Sequence, residues 1–184
     1  MLLTKISQLV LDDLQNVSKL SRDPSTKCGA VIYDGMHFIG RGCNNPRHQL
    51  DEFAKHWKMK GKGFNVDEML KDRNFKINIT EHAECAAIRD AHQNGNWIYS
   101  SATIFITSTP CLNCAIEILK AGIKHVGIVA HNPDFSNPSW GNLWREALLY
   151  LTINDVEVNY YDKEGRLMAR VEDGTIIPCG VEGS

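Results

Sequence analysis

The 184-residue sequence has no run of about eighteen apolar residues, so a membrane-spanning helix is not expected. Its first residues, MLLTKISQLVLDDLQNVSKL, lack a basic leader and carry Asp12 and Asp13 inside an apolar pattern. They read as a helix of the mature protein rather than a signal peptide, and cytoplasmic residence is the expectation. Neither charge sign dominates: 20 Lys+Arg stand against 22 Asp+Glu, for a net charge of −2. Wholesale electrostatic binding to nucleic acid or membrane is therefore not the default, although a local basic pocket is compatible with that balance. There is no internal repeat, low-complexity tract or inter-domain linker. Six cysteines in a long chain without a leader point to metal or catalytic use before a disulfide framework.

What is present is ordinary for a globular domain. Hydrophobic residues make up 43% and charged residues 23%, which argues against disorder, collagen and coiled coil. At about 150 residues per domain, one domain is expected. A chain of this length buries roughly 70% of its unfolded surface and needs no disulfides to be stable.

Ile6, Val10, Leu14 and Val17 recur at three- and four-residue spacing and predict a helix over 2–20. Short strand-like runs at 30–34 and 36–40 flank Asp34-Gly35, a hairpin signal. From Thr80 the pattern turns helical, with Thr80 able to cap and Asn94-Gly95 able to stop it. SATIFITS at 101–108 is strand-like; Thr109-Pro110 then opens a helix that Gly122 ends. HVGIVA is a strand, WGNLWREALLYL an amphipathic helix and VEVNYY a further strand. This order, α-β-β-α-β-α-β-α-β, favours an α/β fold with helices on both faces of a sheet. Residues 162–184 read as a short turn-rich tail outside a domain spanning 1–161. Within that domain, residues 47–79 form a polar insertion with eight Lys/Arg against five Asp/Glu; its net +3 leaves −5 on the rest of the chain. An insertion of this length is usually a functional loop or lid.

The chemistry is carried by His82, Glu84, Cys111 and Cys114. Cysteines three apart on a helix share one face, so both thiolates can reach one ion. A helix N-terminus favours thiolate over thiol. One imidazole and two thiolates make three ligands, and a catalytic zinc site keeps its fourth position open. Glu84, two residues from His82, lies near such a metal without taking a ligand position, where it can move a proton from a bound water. A structural zinc site explains either motif alone, and a redox C-x-x-C gives His82 and Glu84 no role.

H-x-E followed by P-C-x-x-C is the signature of zinc deaminases. The chain resembles the zinc-dependent cytidine/deoxycytidylate deaminase superfamily, and in detail its dCMP deaminase branch. The likeness runs from about residue 22 to 161 through RDPSTKCGAVI, GRGCNNP, EHAECAAI, ATIFITSTPCLNCAIEILKAGIKHV and NPDFSNPSWGNLWREALLYL. It implies a three-layer α-β-α sandwich of the cytidine deaminase type, with a central mixed sheet of about five strands. It also implies zinc on His82, Cys111 and Cys114, with Glu84 as proton shuttle for attack of zinc-activated water on carbon 4 of cytosine. Asn44 matches a loop asparagine that contacts base or sugar, and the backbone at Ala83 and Cys111 would contact the base and the reacting centre. The branch implies dCMP as substrate, dUMP and ammonia as products, and a homo-oligomer.

Two positions depart from the branch. Ala86 stands where many members have Asn, and Gly42-Cys43-Asn44-Asn45-Pro46 is one residue shorter than the usual loop, so regulation by dCTP and dTTP is not implied. A nucleotide also needs cations for its phosphate; Arg22, Lys27 and Arg47 are the candidates, and the insertion could close over the anion. His48 and His56 with Cys43 are a lesser candidate for a second zinc. Cys28, Cys43, Cys85 and Cys179 otherwise read as plain buried thiols. Trp140, Trp144 and Phe135 read as packing residues. The other functional readings are a deaminase of cytidine, cytosine, guanine or tRNA adenosine, and a zinc-stabilised scaffold without turnover. The near-neutral charge and the absence of a basic cluster in 162–184 count against a polynucleotide partner.

Overall fold

The computed structural model describes residues 4–46, 71–72, 76, 79–130 and 138–179, with the backbone alone for 138–143. Expectations placed on Arg47, His48, His56, Phe135 and the side chain of Trp140 lie outside the described residues. The helices are α1 (Gln8–Lys19), α2 (Ala83–Gln93), α3 (Leu112–Lys120) and α4 (Pro138–Thr152). The strands are β1 (Gly29–Asp34), β2 (His37–Cys43), β3 (Asn45–Pro46), β4 (Thr80–Glu81), β5 (Thr103–Ile106), β6 (His125–Val129), β7 (Glu157–Tyr161), β8 (Leu167–Glu172) and β9 (Thr175–Pro178). Seven of them form one sheet in the order β2-β1-β5-β6-β7-β8-β9. The β5-β6 and β6-β7 pairs are parallel and the others antiparallel, so the sheet is mixed.

The strands alternate between two apolar layers, as a period of two requires. Val31, Tyr33 and Phe105 face α1; of the expected stripe, Val10, Leu14 and Val17 lie on α1 and Ile6 precedes its cap, so the helix starts later than residue 2, and all four are buried in this layer. Ile32, Ile104, Ile106 and Ile128 face the other way and pack against side chains of α2, α3 and α4. The result is the expected three-layer sandwich. α1 is capped by Ser7, whose hydroxyl accepts from the Val10 amide.

The sheet has seven strands where about five were expected. The difference lies in residues 162–184, read as a tail. Glu172 pairs with Thr175 across a two-residue turn in which Asp173 and Gly174 have φ of 47° and 72°. Two positive φ values at the turn centre match the twist of a hairpin, and Asp-Gly is a preferred pair there. The same dipeptide stands at the β1-β2 hairpin turn as Asp34-Gly35, where Gly35 has φ 59°. β9 has four residues and is mostly exposed, so its apolar pattern is weak, whereas β8 alternates, with Ala169 and Val171 buried and Arg170 and Glu172 exposed.

Two details of the fold place the site. β3 pairs with β4, Asn45 with Glu81 and Pro46 with Thr80, so the segment 47–79 leaves and returns at one point. β2 lies almost in backbone contact with α2: a Cβ added to Gly42 would come within 2.4 Å of the Ala87 nitrogen and 2.5 Å of the Ala83 carbonyl oxygen. Ala83, Ala87 and Ala91 complete this close approach from the helix side. Among the described residues no helix is long and apolar enough to cross a membrane.

Candidate active site

The N-termini of α2 and α3 meet over one end of the sheet. Thr80 does not cap α2; it pairs in β4 and its hydroxyl donates to the Lys76 carbonyl. The N-cap is His82, and the N-cap of α3 is Cys111, one residue past Pro110. Both have extended backbone, as caps do, but neither makes a side-chain capping hydrogen bond. Their side chains point instead at each other. The His82 Nδ1 lies 3.5 Å from the Cys111 Sγ and 3.2 Å from the Cys114 Sγ, and the two sulfurs are 3.6 Å apart.

The donor set fits a tetrahedral zinc ion. Zn–S bonds of about 2.3 Å and Zn–N bonds of about 2.0 Å imply donor–donor edges of roughly 3.5 to 3.8 Å. All three donors lie within 4.8 Å of one another, and among the described residues no fourth His, Cys or carboxylate joins the group. Two helix N-termini also add partial positive charge where thiolates must be held.

The ionisation of the bare cluster follows from these contacts. The hydrogen bond from Cys114 leads the causes that bring the Cys111 thiol down to about 4, against the cost of burial, with His82 assisting. The same contact, with Cys85 and burial, pushes Cys114 up. The Cys111 contact raises His82 to about 9 against its desolvation. Burial raises the Glu84 carboxyl above its ordinary value.

A cavity of about 880 Å³ opens over this cluster. His82, Ala83, Glu84 and Cys111 line its floor, with Cys114 behind them at 1% exposure. Glu84 is 7% exposed and stands outside the donor group, yet it shares the cavity. Asn44 lines the wall. Its Oδ1 accepts from the Ser21 hydroxyl and the Cys28 amide, each at 2.7 Å, and its Nδ2 donates to the Thr26 carbonyl at 2.8 Å. With both acceptor positions used, one N–H of the side chain is left for a ligand.

Arg22 and Lys27 are exposed and do not line the cavity. The Arg22 main chain donates to Asn45 Oδ1 at 2.7 Å, and the Lys27 ammonium reaches the Lys19 carbonyl at 3.4 Å. The structure brings other residues to the wall: Asp23, Ser25, Thr26, Lys71, Lys76, Thr109 and Trp144. Asp23-Pro24-Ser25-Thr26 carries a readable signal, because an Asp accepting from the amides two and three residues on is an Asx turn. Burial pushes the Asp23 carboxyl up, but hydrogen bonds from Thr26, Ser25 and Lys76 outweigh it and hold the group below its ordinary value. Lys71 and Lys76 are two of eight basic residues in 47–79, with no local pattern to single them out. Trp144 was expected to pack in the core or at an interface and instead forms part of the cavity wall. Cys28, Cys43, Cys85 and Cys179 are half-buried free thiols rather than fully buried ones. Burial chiefly, with the Glu84 charge, keeps Cys28 protonated, up to about 11.

Comparison with known proteins bears on this arrangement. A protein of Aliivibrio fischeri described as an uncharacterized deaminase in the luxG 3' region is 32% identical over 125 residues, 68% of this chain and 72% of that protein. The deoxycytidylate deaminase of Enterobacteria phage T2 is 38% identical over 66 residues, 36% of this chain and 34% of the phage protein. The dCMP deaminase of cyanophage S-TIM5, solved with dCMP and dUMP, matches 83% of this chain and 94% of its own at a TM-score of 0.58 and 18% identity. At that identity the likeness is one of fold. These findings agree with the resemblance read from the motifs. The model of the MafB19-like deaminases matches residues 6–176, from the start of the first helix to the last strand and across both donor-bearing helix starts. A match of that extent makes the chain a member of the MafB19-like deaminase family.

Proposed function

We propose that this deaminase converts dCMP and water to dUMP and ammonia, with zinc on His82, Cys111 and Cys114 and with Glu84 as the proton carrier. The observation that carries the reading is Glu84: a buried carboxyl beside the donor cluster, outside it, and open to the same cavity. Zinc, when held by these donors, supplies Lewis acidity that makes water a competent nucleophile at neutral pH. As the water oxygen adds to carbon 4, Glu84 would carry one proton of the water to ring nitrogen 3, and would then carry the second proton from that oxygen to the amino group, whose bond to carbon 4 breaks. The amine leaves as ammonia and the ring keeps the oxygen. The backbone at Ala83 and Cys111 faces the base, and the remaining N–H of Asn44 donates to base or sugar. Trp144 supplies an aromatic wall. For the phosphate, Lys71 at the cavity is a stronger candidate than Arg22 and Lys27, which are exposed outside its lining, with Arg47 as a further cation.

Support for dCMP in particular comes from the relative named deoxycytidylate deaminase. The test is an ammonia-release panel across dCMP, CMP, dCTP, deoxycytidine, cytosine, guanine and a tRNA anticodon stem. The expected result is the highest kcat/KM with dCMP. A higher value with any other member overturns the substrate assignment and leaves the family intact.

A further inference from the structure

We infer that Lys76 is a positioning residue for the substrate: its ammonium clasps Asp23 and Ser25 and so closes a ring of hydrogen bonds around the cavity mouth. The Lys76 Nζ donates to Asp23 Oδ1 at 3.1 Å and to the Ser25 hydroxyl at 2.5 Å. The lysine side chain is 17% exposed and the aspartate 6%, so this pair is shielded from water in a way that surface pairs are not.

The ring can be traced residue by residue. Asp23 Oδ1 also accepts from the Ser25 and Thr26 amides, which shapes loop 21–28. On the far side, the Thr80 hydroxyl donates to the Lys76 carbonyl at 2.7 Å, and Thr80 pairs with Pro46 across β3 and β4. Asn44 and Asn45 return the ring to the loop, through Ser21, Cys28 and Thr26 and through the Arg22 amide. In this ring the Lys76 side chain carries the link from the residues before β4 to loop 21–28. His82, a donor of the metal cluster, follows two residues after Thr80.

The clasp also sets the charge of the wall. With Lys76 in place, the Asp23 carboxylate is neutralised where it meets the cavity. Without it, a shielded negative charge loses its partner and faces the substrate. For an anionic substrate that is repulsion at the mouth, remote from the reacting atoms. The effect therefore belongs in binding rather than in the chemical step.

This inference rests on the deaminase reading above for its kinetic arm but not for its structural arm. In the structural arm, hydrogen exchange is followed on peptides covering residues 21–28 in wild type, Lys76→Met and Lys76→Arg. Exchange about tenfold faster or more is expected in Lys76→Met, with Lys76→Arg close to wild type. In the kinetic arm, the best substrate of the panel is used at unchanged zinc content. Lys76→Met is expected to raise KM about tenfold while kcat stays within about twofold, and Lys76→Arg to restore most of the KM. Wild-type exchange in Lys76→Met overturns the clasp, and so does a fall in kcat at unchanged KM. If no panel member is turned over by wild type, the deaminase reading fails, and the exchange arm still decides the clasp.

Discussion

At the floor of the cavity, two helix starts deliver three donors and a carboxyl within three residues of their caps. At its rim, loop 21–28, Asn44 and Lys76 are joined by side chains up to 53 positions apart in the sequence. The two regions divide the work by the way they are built. A metal centre needs donors fixed to a few tenths of an ångström, and short-range helical spacing supplies that. A substrate mouth needs a shape and a charge balance, and side chains bonded to the backbone of a distant loop supply those. Damage to the floor should therefore abolish function, and damage to the rim should grade it.

The largest effect is expected at the floor. Cys111→Ala removes a donor from a three-donor set, so zinc and activity should be lost together; metal analysis of the purified variant checks this. Full zinc occupancy would show that the cluster is not the binding site and would remove the contrast between the two regions.

The next effect tests what holds the floor. Gly42→Ala puts a methyl group where α2 has backbone atoms at 2.4 and 2.5 Å. Overpacking of this kind costs about 1–3 kcal/mol or more. In a chain of this size each kcal/mol lowers Tm by roughly 2–4 °C. Calorimetry showing an unchanged Tm would mean that α2 shifts freely on β2, in which case His82 and Glu84 are not positioned by this contact.

A smaller effect is expected at the rim, in the pH dependence of stability. The Asp23 carboxyl is held below its ordinary value in the folded chain by hydrogen bonds from Thr26, Ser25 and Lys76 that outweigh its burial. A depressed carboxyl contributes stability that is present above its unfolded pKa, about 3.9, and is lost as pH falls through the folded value. Urea titrations of wild type and Asp23→Asn should therefore differ by a constant amount near neutral pH and converge as the pH falls below about 4. A difference that persists unchanged into acid would assign Asp23 a packing role instead of an ionic one.

The same contrast explains what was legible in the sequence. The floor could be read because His82, Glu84, Cys111 and Cys114 lie in two short motifs at helix starts. The α1 stripe and the Asp34-Gly35 hairpin were readable because periodicity and turn chemistry are local. The rim was not, because Lys76 acquires its meaning from Asp23 and Ser25, which only the fold brings near. Arg22 and Lys27 illustrate the same limit from the other side: position near a strand start does not say which side chains turn toward a cavity. The last hairpin carried its Asp-Gly signal openly, and in β8 buried Ala169 and Val171 alternate with exposed Arg170 and Glu172, but β9 is too short and exposed for alternation to show. Asn44 was legible as a candidate site residue and it lines the cavity, whereas its anchoring by Ser21, Cys28 and Thr26 was not legible.

The central claim is that Glu84 moves the proton at a site whose metal is held by other residues. It is tested most directly by measuring ammonia release from dCMP and zinc content on the same preparations of wild type and Glu84→Gln. Zinc content should be equal in the two, with the rate of the variant lower by about a hundredfold or more, the scale of lost general acid–base catalysis. A zinc-loaded Glu84→Gln that releases ammonia at the wild-type rate would contradict proton transfer through this carboxyl.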